Sequence, residues 1–229
     1  MLRMTGKWKA ARNILITVLF VALFVVFIQS AGDIVVPLAE YRAAQGEYRE
    51  TREVARRPVV DADAETADDE PAIAWAALRE IGPEIIAWIE VPGTRIDYPI
   101  VQGRDNDWYL RHTVSGERNP SGAVFVDYRS APDFSAPHTI IYGHNMQDGS
   151  MFAGLHGWDG DRFVIHTLDG RTLEYIVFAR YTVSANDPLF AFASDLGGGA
   201  QVVTLSTCVF RRGDLRYVVH GKLYMRGGE

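Results

Sequence analysis

Beyond residue 83 the chain is cut into short β-rich runs, and this pattern restricts the fold more than any other feature. EIIAWIEV, TRIDYPIVQ, GAVFVDYR, HTIIYGH, DRFVIHTL, RTLEYIVFARYTVS, AQVVTLSTC and LRYVVHGKLYM follow one another between residues 84 and 225. Pro92-Gly93, Ser121-Gly122, Asp159-Gly160, Asp169-Gly170 and Gly197-Gly198-Gly199 separate them. Leu168-Asp169-Gly170 between two runs is a strong hairpin cue, because Asp and Gly tolerate the positive φ that a tight, right-twisted turn needs. Eight candidate strands, most spaced by ~8–12 residues, predict a closed barrel or a sandwich. Just upstream, AIAWAALREIG at 72–82 has helical apolar spacing and stops at Gly82-Pro83. The expected class is mainly β, with helices confined to the N-terminal side.

Residues 14–28, ILITVLFVALFVVFI, are apolar except for Thr17. With Asn13 and residues 29–31 the stretch reaches 19 residues, close to the ~20 that span a bilayer. Arg3, Lys7, Lys9 and Arg12 precede it without an acid. That asymmetry predicts a cytoplasmic N-terminus and an extracellular remainder. A cleaved signal peptide would use the same features, and Ser30-Ala31-Gly32 offers small residues. Gln29 suits a cut after Ala31 poorly, so a retained membrane-spanning anchor is the expectation. The layout is then a basic tail at 1–12, an anchor at 13–31, a stalk and linker at 32–71, and a globular domain at 72–229. Within the stalk, residues 33–57 mix charge and alanine, with Tyr41, Tyr48 and Val54 at helical steps. Residues 58–71 are acidic and proline-bounded, and read as a flexible linker. From residue 71 onward the chain holds 14 Lys/Arg against 18 Asp/Glu, with Lys222 its single lysine. No basic stripe is available to neutralise phosphates, which argues against nucleic-acid binding.

Cys208 is the only cysteine. It has no disulfide partner, no CxxC and no Cys/His cluster, so a zinc site of that type is not expected. A lone cysteine is ordinarily a small buried hydrophobe. In an exported chain, however, one unpaired thiol is unusual unless it has a task. Cys208 also stands at the polar exit of the run Val202-Val203-Thr204-Leu205, ahead of Arg211-Arg212-Gly213-Asp214. Ser206 and Thr207 precede it, and their hydroxyls or amides can serve an oxyanion. Arg216 opens the next run, Tyr217-Val218-Val219. If 202–208 and 216–225 form an antiparallel hairpin, Cys208 and Arg216 lie close across it. A guanidinium there favours a thiolate and supplies donors to a developing oxyanion; taken alone, it is an ordinary surface arginine. His144 follows Ile140-Ile141-Tyr142-Gly143 and so also sits at a strand exit. Of the other histidines, His138 follows a proline in a loop, His112 and His156 lie in polar stretches, and His166 and His220 fall inside strands. A base near the thiol generates or reprotonates the thiolate. Unperturbed cysteine titrates at ~8.5 and histidine at ~6.5, so a neutral thiol/imidazole pair dominates near pH 7.

At these residues the chain resembles the sortase family. TLSTC at 204–208 matches the TLxTC signature, and Arg216 stands where the family arginine follows. YGHNM at 142–146, with Gly149-Ser150-Met151-Phe152, is similar to the histidine segment of class B sortases. WIEVPGTRIDYPIVQG at 88–103, DNDWYL at 105–110 and GAVFVDYR at 122–129 extend the match over about 72–226. The resemblance implies an eight-stranded β-barrel with an N-terminal helical addition. It implies a cysteine transpeptidase that cleaves a C-terminal sorting signal of surface proteins at a threonine. The acyl group passes through a Cys thioester to an amine of a peptidoglycan precursor, lipid II. Carried over, Cys208 is the nucleophile, His144 the acid/base and Arg216 the stabiliser of substrate or oxyanion. Asn106 and Tyr142 match groove-lining positions, and Ser206 a serine beside the nucleophile. One departure stands out. Class B enzymes usually carry a long helix-containing insertion that reads the sorting signal, whereas here SANDPLFAFASDLGGGA at 184–200 is short, with Leu189 and Phe190 left to form a wall. The alternatives are a pilin-polymerising sortase, an inactive sortase-like surface binding module and a secreted cysteine protease with water as acceptor.

Overall fold

All eight β-rich runs become strands: β1 Ile85–Glu90, β2 Asp97–Val101, β3 Val124–Val126, β4 His138–Tyr142, β5 Arg162–Thr167, β6 Thr172–Ser184, β7 Val202–Val209 and β8 Arg212–Leu223. The computed structural model describes residues 6–57, 73–192, 196–209 and 212–224. The acidic stretch 58–71 and Arg211 lie outside the described residues. The strands close in the order β1-β2-β3-β4-β7-β8-β6-β5, and β1 pairs with β5 to complete the barrel. β2/β3 and β4/β7 are parallel, and the other pairs are antiparallel. Closure leaves no open sheet edge.

Alternation along each strand sorts side chains to the two faces. In β7, Val203 and Leu205 point to the interior with Ile141 of β4 and Val219 of β8, all nearly or wholly buried. Phe163 and Tyr175 stack at 5.2 Å in this interior. A Cβ at Gly221 would come within 2.6 Å of the Phe163 ring, so β8 needs glycine where its backbone meets that ring. Thr204, Ser206 and Cys208 face the other way.

His138 is not in a loop: it opens β4. The parallel pairing of β4 with β7 draws the residue after Pro137 into the sheet. Its Nε2 pairs with Thr204 Oγ1 at 2.8 Å, Thr204 Oγ1 with His220 Nδ1 at 2.8 Å, and His220 Nε2 with Tyr181 OH at 3.0 Å. Burial pushes the His138 ring down to about 4. Burial, with His138 beside it, does the same to His220. Both rings are therefore neutral at physiological pH and engaged in a structural chain.

Helix α1 runs over Gly6–Ala55, and α2, Trp75–Ile81, is shorter than the 72–82 pattern. Within α1, Arg12–Gln29 is long and apolar enough to cross a membrane, and the side chains of that stretch are exposed. The barrel's compact unit begins at Ala44. Ala44, Tyr48, Thr51 and Ala55 are buried at three- and four-residue steps, one face of a helix. Tyr48 OH donates to the Gly122 carbonyl at 2.6 Å and its ring meets Tyr98 edge-on at 5.4 Å. Arg56 adds an ion pair to Asp97 at 2.9 Å.

Candidate active site

The ends of β4, β7 and β8 meet at one cleft of about 300 Å³. All seven residues singled out from the sequence line it: Asn106, Tyr142, His144, Ser206, Thr207, Cys208 and Arg216. The anticipated hairpin is present, and Cys208 and Arg216 are direct cross-strand partners. Directly opposed residues of an antiparallel pair share a face, with Cβ atoms ~5 Å apart. Cys208 is half-buried, with its thiol free. Arg216 Nη1 donates to the carbonyls of Gly213 at 2.7 Å and Leu215 at 3.0 Å. Among the described residues no carboxylate pairs with Arg216.

His144 reaches the cleft because Gly143 gives up its side chain. A Cβ at 143 would lie 2.6 Å from the Phe152 ring, which packs under the exit of β4. His144 Nε2 lies 2.8 Å from the Leu110 carbonyl. A carbonyl only accepts, so Nε2 carries the hydrogen and Nδ1 is the basic nitrogen of the neutral ring. Ser206 and Thr207 are buried, and neither hydroxyl has a hydrogen-bond partner among the described residues. Ser206 shares the face of Cys208. Strand alternation sends the Thr207 side chain to the opposite face, so what Thr207 brings to the cleft is main chain.

Two groups that the sequence reading passed over organise one wall. The Asp127 carboxylate is fully buried. It accepts from Arg129 Nε at 2.8 Å and Nη2 at 2.7 Å, from Asn106 Nδ2 at 2.9 Å and from Tyr142 OH at 3.0 Å. Burial opposes its charge, but the donors from Arg129, Asn106 and Tyr142 outweigh burial and hold the carboxyl below the usual carboxylate range. With its folded pKa depressed, Asp127 stabilises the fold above the ordinary carboxylate range, and that contribution is lost as pH falls through the lowered value. Burial, joined by the Asp127 charge, pushes the Tyr142 phenol upward, so it stays protonated and donates. Arg129 Nη2 also donates to the Phe190 carbonyl at 2.8 Å, and its guanidinium sits 4.8 Å from the Phe192 ring centroid. The signal for this pair is in GAVFVDYR, where a carboxylate closing an apolar run must be paired if it is buried.

Among the described residues the segment between β6 and β7 forms one 3-10 turn, Pro188–Ala191, capped by Asp187, whose carboxylate accepts from Leu189 N–H. Phe190 lines the cleft and stacks 6.3 Å from Tyr142, while Leu189 is buried beneath. No α-helix occurs there among the described residues. The same is true of any group of three or more His, Cys, Asp or Glu able to hold a metal ion.

A free thiol, an imidazole and a guanidinium around one cleft of a closed eight-stranded barrel supply the groups that acyl transfer through a cysteine requires. Residues 89–224 match the model of the sortase domain, and the chain belongs to the sortase family, whose enzymes are cysteine transpeptidases. Within the family its likeness is to class B. It is 34% identical over 179 residues to sortase B of Listeria monocytogenes, covering 64% of this chain and 72% of the relative. Sortase B from Bacillus anthracis in complex with AAEK1 superposes with a TM-score of 0.67 at 30% identity, over 82% of this chain and 100% of that one. A Streptococcus pyogenes class B sortase involved in pilus biogenesis superposes with a TM-score of 0.56 at 30% identity, over 63% of this chain and 94% of that one.

Proposed function

We propose that this class B sortase is held in the cell membrane by residues 13–31, N-terminus inside, and cleaves a C-terminal sorting signal of surface proteins at a threonine. The Cys208 thiol passes its proton to His144 Nδ1, the thiolate attacks the threonine carbonyl carbon, and Arg216 donates to the oxygen as it gains charge. His144 gives a proton to the leaving amine as the C–N bond breaks, which leaves a thioester on Cys208. An amine of the peptidoglycan precursor lipid II then attacks the thioester. His144 takes the proton from that amine, the new amide forms and the Cys208 thiolate departs. No metal or cofactor enters the scheme.

The cross-strand register of Cys208 with Arg216, with His144 on the same cleft, carries this reading. Asn106, Tyr142 and Ser206 bind the sorting peptide, with Asp127 and Arg129 as positioning residues behind Asn106 and Tyr142. The catalytic domain assigned to 72–229 works together with residues 44–55 of α1, which share its compact unit.

The acceptor separates the readings. The Streptococcus pyogenes relative is involved in pilus biogenesis, and a pilin-polymerising enzyme would take a lysine amine of another protein. A protease would take water, and an inactive binding module would form no thioester. Full-length protein in detergent micelles, given a threonine-containing sorting peptide and a primary amine, is expected to release the C-terminal fragment and yield the peptide–amine conjugate. Hydrolysis at an undiminished rate, with no conjugate at saturating amine, would refute the transpeptidase reading.

A further inference from the structure

The carbonyl oxygen of Cys208 is gripped by two side chains that do not line the cleft. Asn145 Nδ2 donates to it at 2.9 Å, and His156 Nε2 lies 3.2 Å away. Since the acceptor is a carbonyl, the His156 Nε2 bears the hydrogen. The contact falls where the β7/β8 register shifts between Cys208 and Val209, and such a bulge loosens the ladder locally. The main chain of the nucleophile is thus fixed by groups from outside its own hairpin.

Both groups come from the segment that carries His144. Asn145 is the next residue, and the loop behind it is closed by Phe152 N–H to the His144 carbonyl at 2.9 Å and by the Asn145/Met151 bridge. At its far end the His156 ring stacks on Tyr217 at 4.8 Å, and Tyr217 pairs with Thr207 across β7/β8. One stretch, 144–156, therefore bears the imidazole and holds the strand end that bears the sulfur.

We infer that Asn145 and His156 are positioning residues that lock the Cys208 main chain to the His144 segment, so that sulfur and imidazole keep one relative placement through acylation and deacylation. The inference rests on the proposed roles of Cys208 and His144. Reacting groups must approach within ~3–3.5 Å, and a displacement of ~1 Å costs up to ~10²-fold in rate. A group that acts only on this placement should lower kcat and leave KM alone.

The test uses full-length enzyme and single-turnover acylation by a sorting peptide. Asn145→Leu, similar in size but without a donor, is expected to lower the acylation rate constant by ~10–100-fold, with KM within about twofold. His156→Phe keeps a ring for Tyr217 and loses the N–H, whereas His156→Gln restores a donor. The phenylalanine variant should lose ~10-fold and the glutamine variant should recover most of it. If Asn145→Leu fails to fold, the His156 pair decides. Wild-type rates in His156→Phe, equal losses in His156→Phe and His156→Gln, or a KM rise that accounts for the loss would each overturn the inference. Alkylation of Cys208 by iodoacetamide keeps the two readings apart. If wild type cleaves no sorting peptide, the functional proposal fails, while slower alkylation in His156→Phe than in His156→Gln still supports the positioning role and equal rates reject it.

Discussion

Replacing Cys208 with alanine is expected to abolish sorting-peptide cleavage, a loss of at least ~10⁴-fold, while the barrel stays folded. Cys208 is half-buried at the end of β7 and its thiol makes no disulfide. Deleting one sulfur there removes little packing, so near-UV circular dichroism and thermal midpoint should stay close to wild type. Cys208→Ser, which keeps the shape, should be almost as inactive, because a hydroxyl beside a neutral imidazole is a far weaker nucleophile than a thiolate. A folded Cys208→Ala protein that retained peptide cleavage would remove the nucleophile from the account. A folded, inactive one would separate the enzyme reading from that of a binding module, because peptide capture without chemistry needs no sulfur.

The second large effect belongs to Arg216. Its Nη1 is anchored by the Gly213 and Leu215 carbonyls, which fixes the guanidinium opposite Cys208. A fixed donor aimed at developing charge acts mainly in the transition state, so Arg216→Ala should lower kcat by ~10²–10³-fold and raise KM much less. Arg216→Lys keeps the charge but loses the planar fork, and should recover only part of the deficit. A KM-only defect in Arg216→Ala would make the residue a ground-state anchor for the peptide and take the oxyanion role from it. Full recovery by lysine would show that charge alone suffices.

Much of this architecture is legible in the sequence because strands leave a local signature. Short β-rich runs set off by turn signals identify all eight strands, and the run that ends in Cys208, followed by the run that opens with Arg216, predicts their pairing. What stays hidden is the set of contacts made across distant segments. His156 looks idle in a polar stretch, yet folding lays its Nε2 against the Cys208 carbonyl, 52 positions away in the chain. His138 follows a proline and reads as loop, but parallel pairing with β7, which no local pattern encodes, makes it strand. Asp127 and Arg129 sit in a quoted motif, and only burial of the carboxylate reveals their work for Asn106 and Tyr142. Tyr48 and Val54 announce a helix, though not that its last turns pack on the barrel, because one apolar stripe does not say what covers it.

On the proposed scheme the acyl group rests on the sulfur of Cys208 between cleavage and transfer. Mass spectrometry of full-length enzyme, quenched in acid after mixing with a sorting peptide in the absence of amine, would trap it there. The expected product is a single adduct with the mass of the N-terminal peptide fragment, mapped to Cys208 and released by hydroxylamine as the hydroxamate. Cleavage of the peptide with no adduct on Cys208 under single-turnover conditions, or with the adduct on another residue, would contradict that scheme.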